Sequence, residues 1–214
     1  MKVAASLDGQ TALANGRSQW ITGEAARADG HAWRARAGAI LTGIGTVLED
    51  DPRLDVRLAT VERQPPLVLV DSRLQTPPTA ALFAAAQRPV WIYAAESHPD
   101  AQRALEDRGA TVVRLPGSGG KVDLAALLQD LAARGVNELH VEAGFKLNGS
   151  LLREGLVDEF LVYVAPMLLG PGQGMVNIGP LQALAEGVAL EFGSVDRVGA
   201  DLRVLARPPG RADF

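Results

Sequence analysis

Apolar and polar residues alternate with two different periods along this chain, and the changes between them mark its elements. Short runs dense in apolar residues fall at Lys2–Ser6, Ala39–Thr42, Leu67–Val70, Val90–Tyr93, Thr111–Arg114 and Phe160–Ala165. Their length suits strands, and unbroken runs such as Leu67–Val70 suit strands covered on both faces. Leu139 and Val141 alternate with His140 and Glu142 at period two, which predicts one more short strand. Between these runs the period lengthens. Thr22 is placed to cap a helix running to about Ala37. Val47–Asp50 predicts a short helical turn, and Asp100–Arg108 and Asp123–Ala133 carry helical spacing. Leu124, Leu127, Leu128 and Leu131 form the apolar face of the last of these, with Gly135 as its stop. Strands alternating with helices imply parallel pairing and an α/β fold. Leu190–Val195 and Leu202–Ala206, with Gly199 between them, predict an antiparallel C-terminal hairpin. Gln10–Trp20 and Gly170–Pro180 read as loops and 208–214 as a frayed tail. No repeat or linker interrupts the pattern, so 1–214 is expected to be a single domain.

The stretch 136–152 concentrates the chemistry. Its strand ends in Glu142 and passes through Ala143-Gly144, and Phe145, Leu147, Leu151 and Leu152 then predict a helix. Glycine tolerates backbone angles closed to other residues and lets a ligand approach the main chain. The unpaired N–H groups opening the next helix favour an anion. Gly144 and Gly149 have P-loop spacing, but Ser150-Leu151 stands where Lys-Ser/Thr would reach the phosphates, which excludes a nucleotide triphosphatase. A second glycine turn, Gly43-Ile44-Gly45-Thr46, matches a dinucleotide fingerprint only weakly, because Leu48 replaces its third glycine.

Composition narrows the classes. The 214 residues are 47% hydrophobic and 21% charged, a globular balance, and the net charge of −4 argues against a general nucleic-acid binder. With no cysteine there is no disulfide framework, no thiolate metal site and no thiol nucleophile. No metal is expected. No apolar run approaches a membrane span and the first residues are not a secretory signal, so a cytoplasmic protein is expected. Lysine occurs only at positions 2, 121 and 146, so Lys2 beside a core strand invites a chemical role, although chain ends commonly fray. Arg27, His31 and Arg34 share one helical face. Such a row is usually solvated, but arginine's planar fork also suits phosphate.

Taken together, Lys2–Gly9, Ser18–Thr22, Arg34, Gly43–Leu54 with Arg57, Val70–Ser72, Val141–Gly144, Gly155–Glu159 and Ala165–Gly170 resemble the reductase of riboflavin biosynthesis. The resemblance covers nearly the whole chain. It implies a dihydrofolate reductase-like α/β fold with a mostly parallel central sheet, helices on both faces and the antiparallel hairpin. It also implies NADPH as cofactor, and a reaction in which the open-chain imine of a ribosylaminopyrimidine 5'-phosphate takes a hydride at C1' to become the ribitylamino compound. The implied substrate residues are Ser18, Arg34, Leu54, Arg57 and Glu142. The implied cofactor residues are Ala4, Trp20, Thr46, Asp50, Ser72 and Gly144, Phe145, Lys146, Leu147, Asn148, Gly149 and Ser150. Lys2 and Asp50, with Glu142, are the implied catalytic groups, and a homodimer is the expected assembly. Bifunctional members carry a zinc deaminase ahead of the Lys2 segment, so the chain is either a stand-alone reductase or part of a longer protein. Competing readings are a reductase of the same fold acting on another pyrimidine or a pteridine, and a non-catalytic nucleotide-binding module.

Overall fold

A computed structural model defines the fold and describes residues 1–85 and 87–211. In chain order the elements are β1 (Lys2–Ser6), β2 (Gln10–Leu13), α1 (Glu24–Arg36), β3 (Ala39–Gly43), α2 (Ile44–Asp50), β4 (Leu67–Val70), β5 (Val90–Ala94) and α3 (Pro99–Glu106). They continue with β6 (Ala110–Arg114), α4 (Leu124–Ala133), β7 (Leu139–Val141), α5 (Phe145–Arg153), β8 (Phe160–Ala165), β9 (Gly172–Gly174), β10 (Glu191–Val198) and β11 (Asp201–Arg207). Two compact units contain them: Met1–Gly30 with the segment from Gly144 onward, and His31–Ala143. Among the described residues no helix is long and apolar enough to cross a membrane.

The His31–Ala143 unit is built on a five-stranded sheet in the order β6-β5-β4-β3-β7, with every pairing parallel. Its strands are apolar on both sides because both sides are covered. Ile40, Leu67, Leu69, Val90 and Ile92 pack with Val47 of α2 and Leu105 of α3. On the opposite side the Tyr93 hydroxyl donates to Asp130 of α4 at 2.6 Å, and Arg134 just beyond that helix stacks over the Trp91 ring. Right-handed crossovers account for this split: the chain steps outward from β3 to β6, then α4 carries it back across the sheet to β7. The strand order therefore reverses between β3 and β7, and ligands in open α/β sheets bind beyond the strand ends at such a reversal.

The other unit holds a mixed sheet, β1-β8-β11-β10, in which β1 pairs parallel with β8 and the hairpin β10–β11 is antiparallel. Lys2 is not frayed: it sits in β1 opposite Leu161. Both expected loops contain strands, since β2 pairs with β9 in an antiparallel ribbon. A side chain at Gly172 would lie 2.2 Å from the Ala12 carbonyl, so this ribbon depends on a glycine. Asp8, in the turn after β1, accepts the N–H groups of Leu169 and Gly170 and ties that turn to the start of the 170–180 segment. The expected tail is partly anchored: Arg211 pairs with Asp158 at 2.9 Å and donates to the Gly155 carbonyl. Its last three residues, 212–214, lie outside the described residues.

Candidate active site

Glu142 follows β7 directly, at the reversal of strand order, and its N–H donates to the Leu41 carbonyl of β3 at 2.8 Å. Its carboxylate takes both arms of the Arg34 guanidinium, Nε to Oε1 and Nη2 to Oε2, the latter at 2.9 Å. Both side chains are largely buried. Burial opposes the Arg34 charge, but the Glu142 carboxylate more than offsets it and holds the guanidinium above its ordinary range. Removing one member of such a pair typically costs about 3–5 kcal/mol. The buried His140 ring places Nε2 3.2 Å from Glu142 Oε1, without hydrogen-bond geometry. The third Arg34 nitrogen, Nη1, donates to the Asp55 carbonyl at 3.1 Å. Arg34 is thus turned inward instead of lying on a solvated helix face.

That carbonyl belongs to the loop that follows α2. Asp51 ends α2 at φ 40° and Leu54 sits at φ 49°, left-handed angles that cost a non-glycine residue about 1–3 kcal/mol each. The Leu54 side chain is buried in the core, so only its main chain is available to a ligand. Asp55 is buried and its carboxylate holds two exposed arginines, Arg57 and Arg53. Burial works against that carboxylate, but the Arg57 hydrogen bond and charge, with Arg53 behind it, keep it below the usual range. Both arginines expected to meet a phosphate therefore already hold an internal carboxylate. Positive charge still prevails: Arg34, Arg53, Arg57 and Arg88 are four guanidiniums against the two carboxylates of Asp55 and Glu142. His31 adds none near neutrality. Burial, with Arg34 and Arg57 alongside, pushes it down to about 4, and its Nδ1 accepts the Arg57 N–H at 3.2 Å.

The remaining expected residues are distributed as follows. Thr46 lies half-buried in α2, and Asp50 is exposed at the end of that helix. Asp51 forms the turn, and its Oδ1 accepts the Ala81 N–H at 2.7 Å. Ser72, beyond β4, accepts the N–H of Val122 on its hydroxyl and keeps its own proton to donate. In the other unit the Lys2 ammonium lies 5.8 Å from the centre of the Tyr163 ring. Ala4 follows it in β1, Ser18 is half-buried, and Trp20 is exposed under Arg27.

The Gly144 turn departs from the expectation in its backbone and in what it exposes. Gly144 adopts φ −72° and ψ 163°, open to any residue, so its glycine is not required by conformation. Nor do all of residues 144–150 face outward. Asn148 is buried and donates to the Met175 carbonyl at 3.2 Å. Gly149 packs against the Asn177 main chain, and the Ser150 hydroxyl bonds back to the Lys146 carbonyl. The exposed positions are Gly144 and Lys146, at the uncapped start of α5.

Three residues of the site escaped sequence reasoning. Arg88 is buried and donates to the carbonyls of Leu54, Arg53 and Leu82. Gln64 grips Val56 at both its N–H, 2.7 Å, and its carbonyl, 2.9 Å. Asp55 anchors Arg53 and Arg57. Only Asp55, among arginines in Arg-Leu-Asp-Val-Arg, left a local trace of its role.

The chain is 37% identical over 215 residues to riboflavin biosynthesis protein RibD of Escherichia coli, an alignment covering 94% of this chain and 57% of that protein. Acinetobacter baumannii RibD superposes with a TM-score of 0.82 at 36% identity, over 97% of this chain and 56% of the other. The riboflavin biosynthesis reductase Rib7 of Saccharomyces cerevisiae shares the fold, with a TM-score of 0.71 at 20% identity, over 97% of this chain and 87% of that one. The chain spans somewhat more than half the length of the RibD proteins it matches. Residues 1–204 match the model of the RibD C-terminal domain, and the chain belongs to that family.

Proposed function

We propose that the chain is a single reductase domain that uses NADPH to reduce 5-amino-6-(5-phosphoribosylamino)uracil to its ribitylamino product. The observation carrying this reading is the Arg34–Glu142 pair at the strand-order reversal, set beside a loop with surplus positive charge. A phosphorylated sugar needs such a surplus, and an acid at the strand end can orient a pyrimidine through its N–H groups. The residues present also fit a dinucleotide. In one unit the uncapped N–H groups at the start of α5 and the Lys146 ammonium are donors suited to phosphate, and in the other the Ser72 hydroxyl is by itself a donor suited to ribose. When bound, the nicotinamide supplies the hydride; the protein's part is position and proton control.

In this reading Arg57 holds the substrate phosphate through the nitrogens that Asp55 leaves free. Glu142 is fixed by Arg34, so its carboxylate meets the substrate in one orientation. Lys2 and Asp50 manage protons: hydride addition at C1' turns the C=N bond into a C–N single bond, and the nitrogen gains one proton from a general acid.

Absorbance-monitored oxidation of NADPH tests the proposal, with the amino and deaminated ribosylaminopyrimidine 5'-phosphates and a dihydropteridine offered separately. Turnover is expected with the deaminated phosphate, and faster with NADPH than with NADH. Turnover only with the pteridine, or with none of the three, would overturn it.

A further inference from the structure

The loop from Arg53 to Arg57 is held from outside itself. Arg88 donates to two consecutive carbonyls, Arg53 at 2.9 Å and Leu54 at 2.7 Å, spanning the residue at positive φ. Gln64 brackets Val56 on both sides of its peptide unit. These two side chains bond the main chain at Arg53, Leu54 and Val56, the residues leading into Arg57.

The chemistry of Arg88 points the same way. Its guanidinium is buried, yet among the described residues it meets main-chain carbonyls and no carboxylate within ion-pair distance. Burying a cation whose nearest carboxylate, Asp55, acts only through space and not by a direct ion pair works against folding, and an apolar side chain would suit the surrounding Leu54 and Leu82 better. Its value lies outside packing. It holds the loop, and it adds a fixed positive charge within electrostatic reach of Arg34, Arg53 and the Asp55 carboxylate, in a medium that screens charge poorly.

We infer that Arg88 and Gln64 are positioning residues for the substrate's phosphate, setting the Arg53–Arg57 loop so that Arg57 and Arg34 serve one anion. Neither touches the reacting atoms. The inference rests on the proposed reading of Arg57 as a phosphate ligand, and the experiment separates failure of the one from failure of the other.

Steady-state kinetics of the wild type, Arg88→Lys and Gln64→Ala would be measured with the 5'-phosphorylated substrate and with its dephosphorylated form, alongside thermal melts. Arg88→Lys keeps the charge but cannot span the carbonyls. Both variants are expected to raise KM for the phosphorylated substrate by about tenfold or more, the scale of a lost charge-assisted hydrogen bond. The kcat, the KM for NADPH and the KM for the dephosphorylated substrate should stay within about twofold, less than one ordinary hydrogen bond is worth. A purely structural role would move all four together, and that result overturns the inference. So would variants that keep the wild-type phosphate preference. Should the wild type reduce neither pyrimidine, the functional reading fails, and the inference is judged by titrating ribose 5-phosphate and ribose. Tighter wild-type binding of the phosphate ester, lost in both variants, upholds it; equal binding by all three proteins overturns it. Gln64→Ala, at a half-buried neutral side chain, keeps the test decisive if Arg88→Lys does not fold.

Discussion

Replacing Gly149 by alanine sets two opposing effects against each other, and the structure decides between them. Gly149 lies inside helix α5, where an alanine ordinarily stabilises by about 0.5–1 kcal/mol. Here the new Cβ would stand 2.0 Å from the Asn177 carbonyl oxygen, 2.5 Å from its carbon and 2.8 Å from its nitrogen. A carbon approaches such an oxygen to about 3.3–3.6 Å, so the main chain at Asn177 must retreat by more than 1 Å. That shift breaks the Asn177 N–H bond to the Phe145 carbonyl, 2.9 Å, and the Arg153 bond to the Asn177 carbonyl, and it strains the Asn148 bond to Met175. At about 0.5–1.5 kcal/mol for each bond, with about 1–3 kcal/mol for overpacking, the loss outweighs the helical gain. The net expectation is a destabilisation of about 4 kcal/mol, or a melting point lower by about 8–16 °C in a chain of this size. Thermal melts and urea titrations of wild type and Gly149→Ala read it directly. An unchanged or higher midpoint would show that the 175–177 segment does not seat on α5.

Two further outcomes are expected. The folded His31 pKa lies near 4, below the unfolded value of about 6.5. The unfolded chain therefore binds the proton first as pH falls, and His31 costs stability progressively between about pH 6.5 and 4, about 3 kcal/mol in all. Urea midpoints across that range should fall less steeply in His31→Gln than in wild type, and parallel curves would refute the assignment. Asp50→Asn should fold normally and lose most of its turnover, whereas Asp51→Asn, which keeps the Oδ1 acceptor for the Ala81 N–H, should remain active. A fully active Asp50→Asn would remove Asp50 from the chemistry.

What could be read from the sequence follows from what each element depends on. Leu67–Val70 and Phe160–Ala165 match observed strands at both ends because burial on a sheet demands apolar side chains, and side chains are what a sequence displays. The ribbon of β2 and β9 is not legible, for the opposite reason. Gly-Gln-Gly carries no pattern, and its strand exists only through pairing with Gln10–Leu13. The same holds at the site. Arg34 and Glu142 could be found because a strand end and a helix face pointed to them. Arg88 reaches the Leu54 and Arg53 carbonyls from 34 and 35 positions away, and Gln64 reaches the Val56 N–H and carbonyl from 8, and no helix or strand periodicity connects a side chain to a main-chain group at such separations. At Gly144 the sequence displays a glycine before a helix but not its backbone angles, which are ordinary.

The Arg34–Glu142 pair also has a history within each molecule. The two residues are 108 positions apart. At a synthesis rate of about 5–20 residues per second, the arginine leaves the ribosome about 5–20 seconds before its acid does. Throughout that interval β7 does not exist, and the edge of β3 that will receive it has no partner on that side. The first helix can form early, but its guanidinium has reason to stay in water until the carboxylate arrives. The centre of the proposed site is therefore the last thing the His31–Ala143 unit completes, closed by a strand of only three residues.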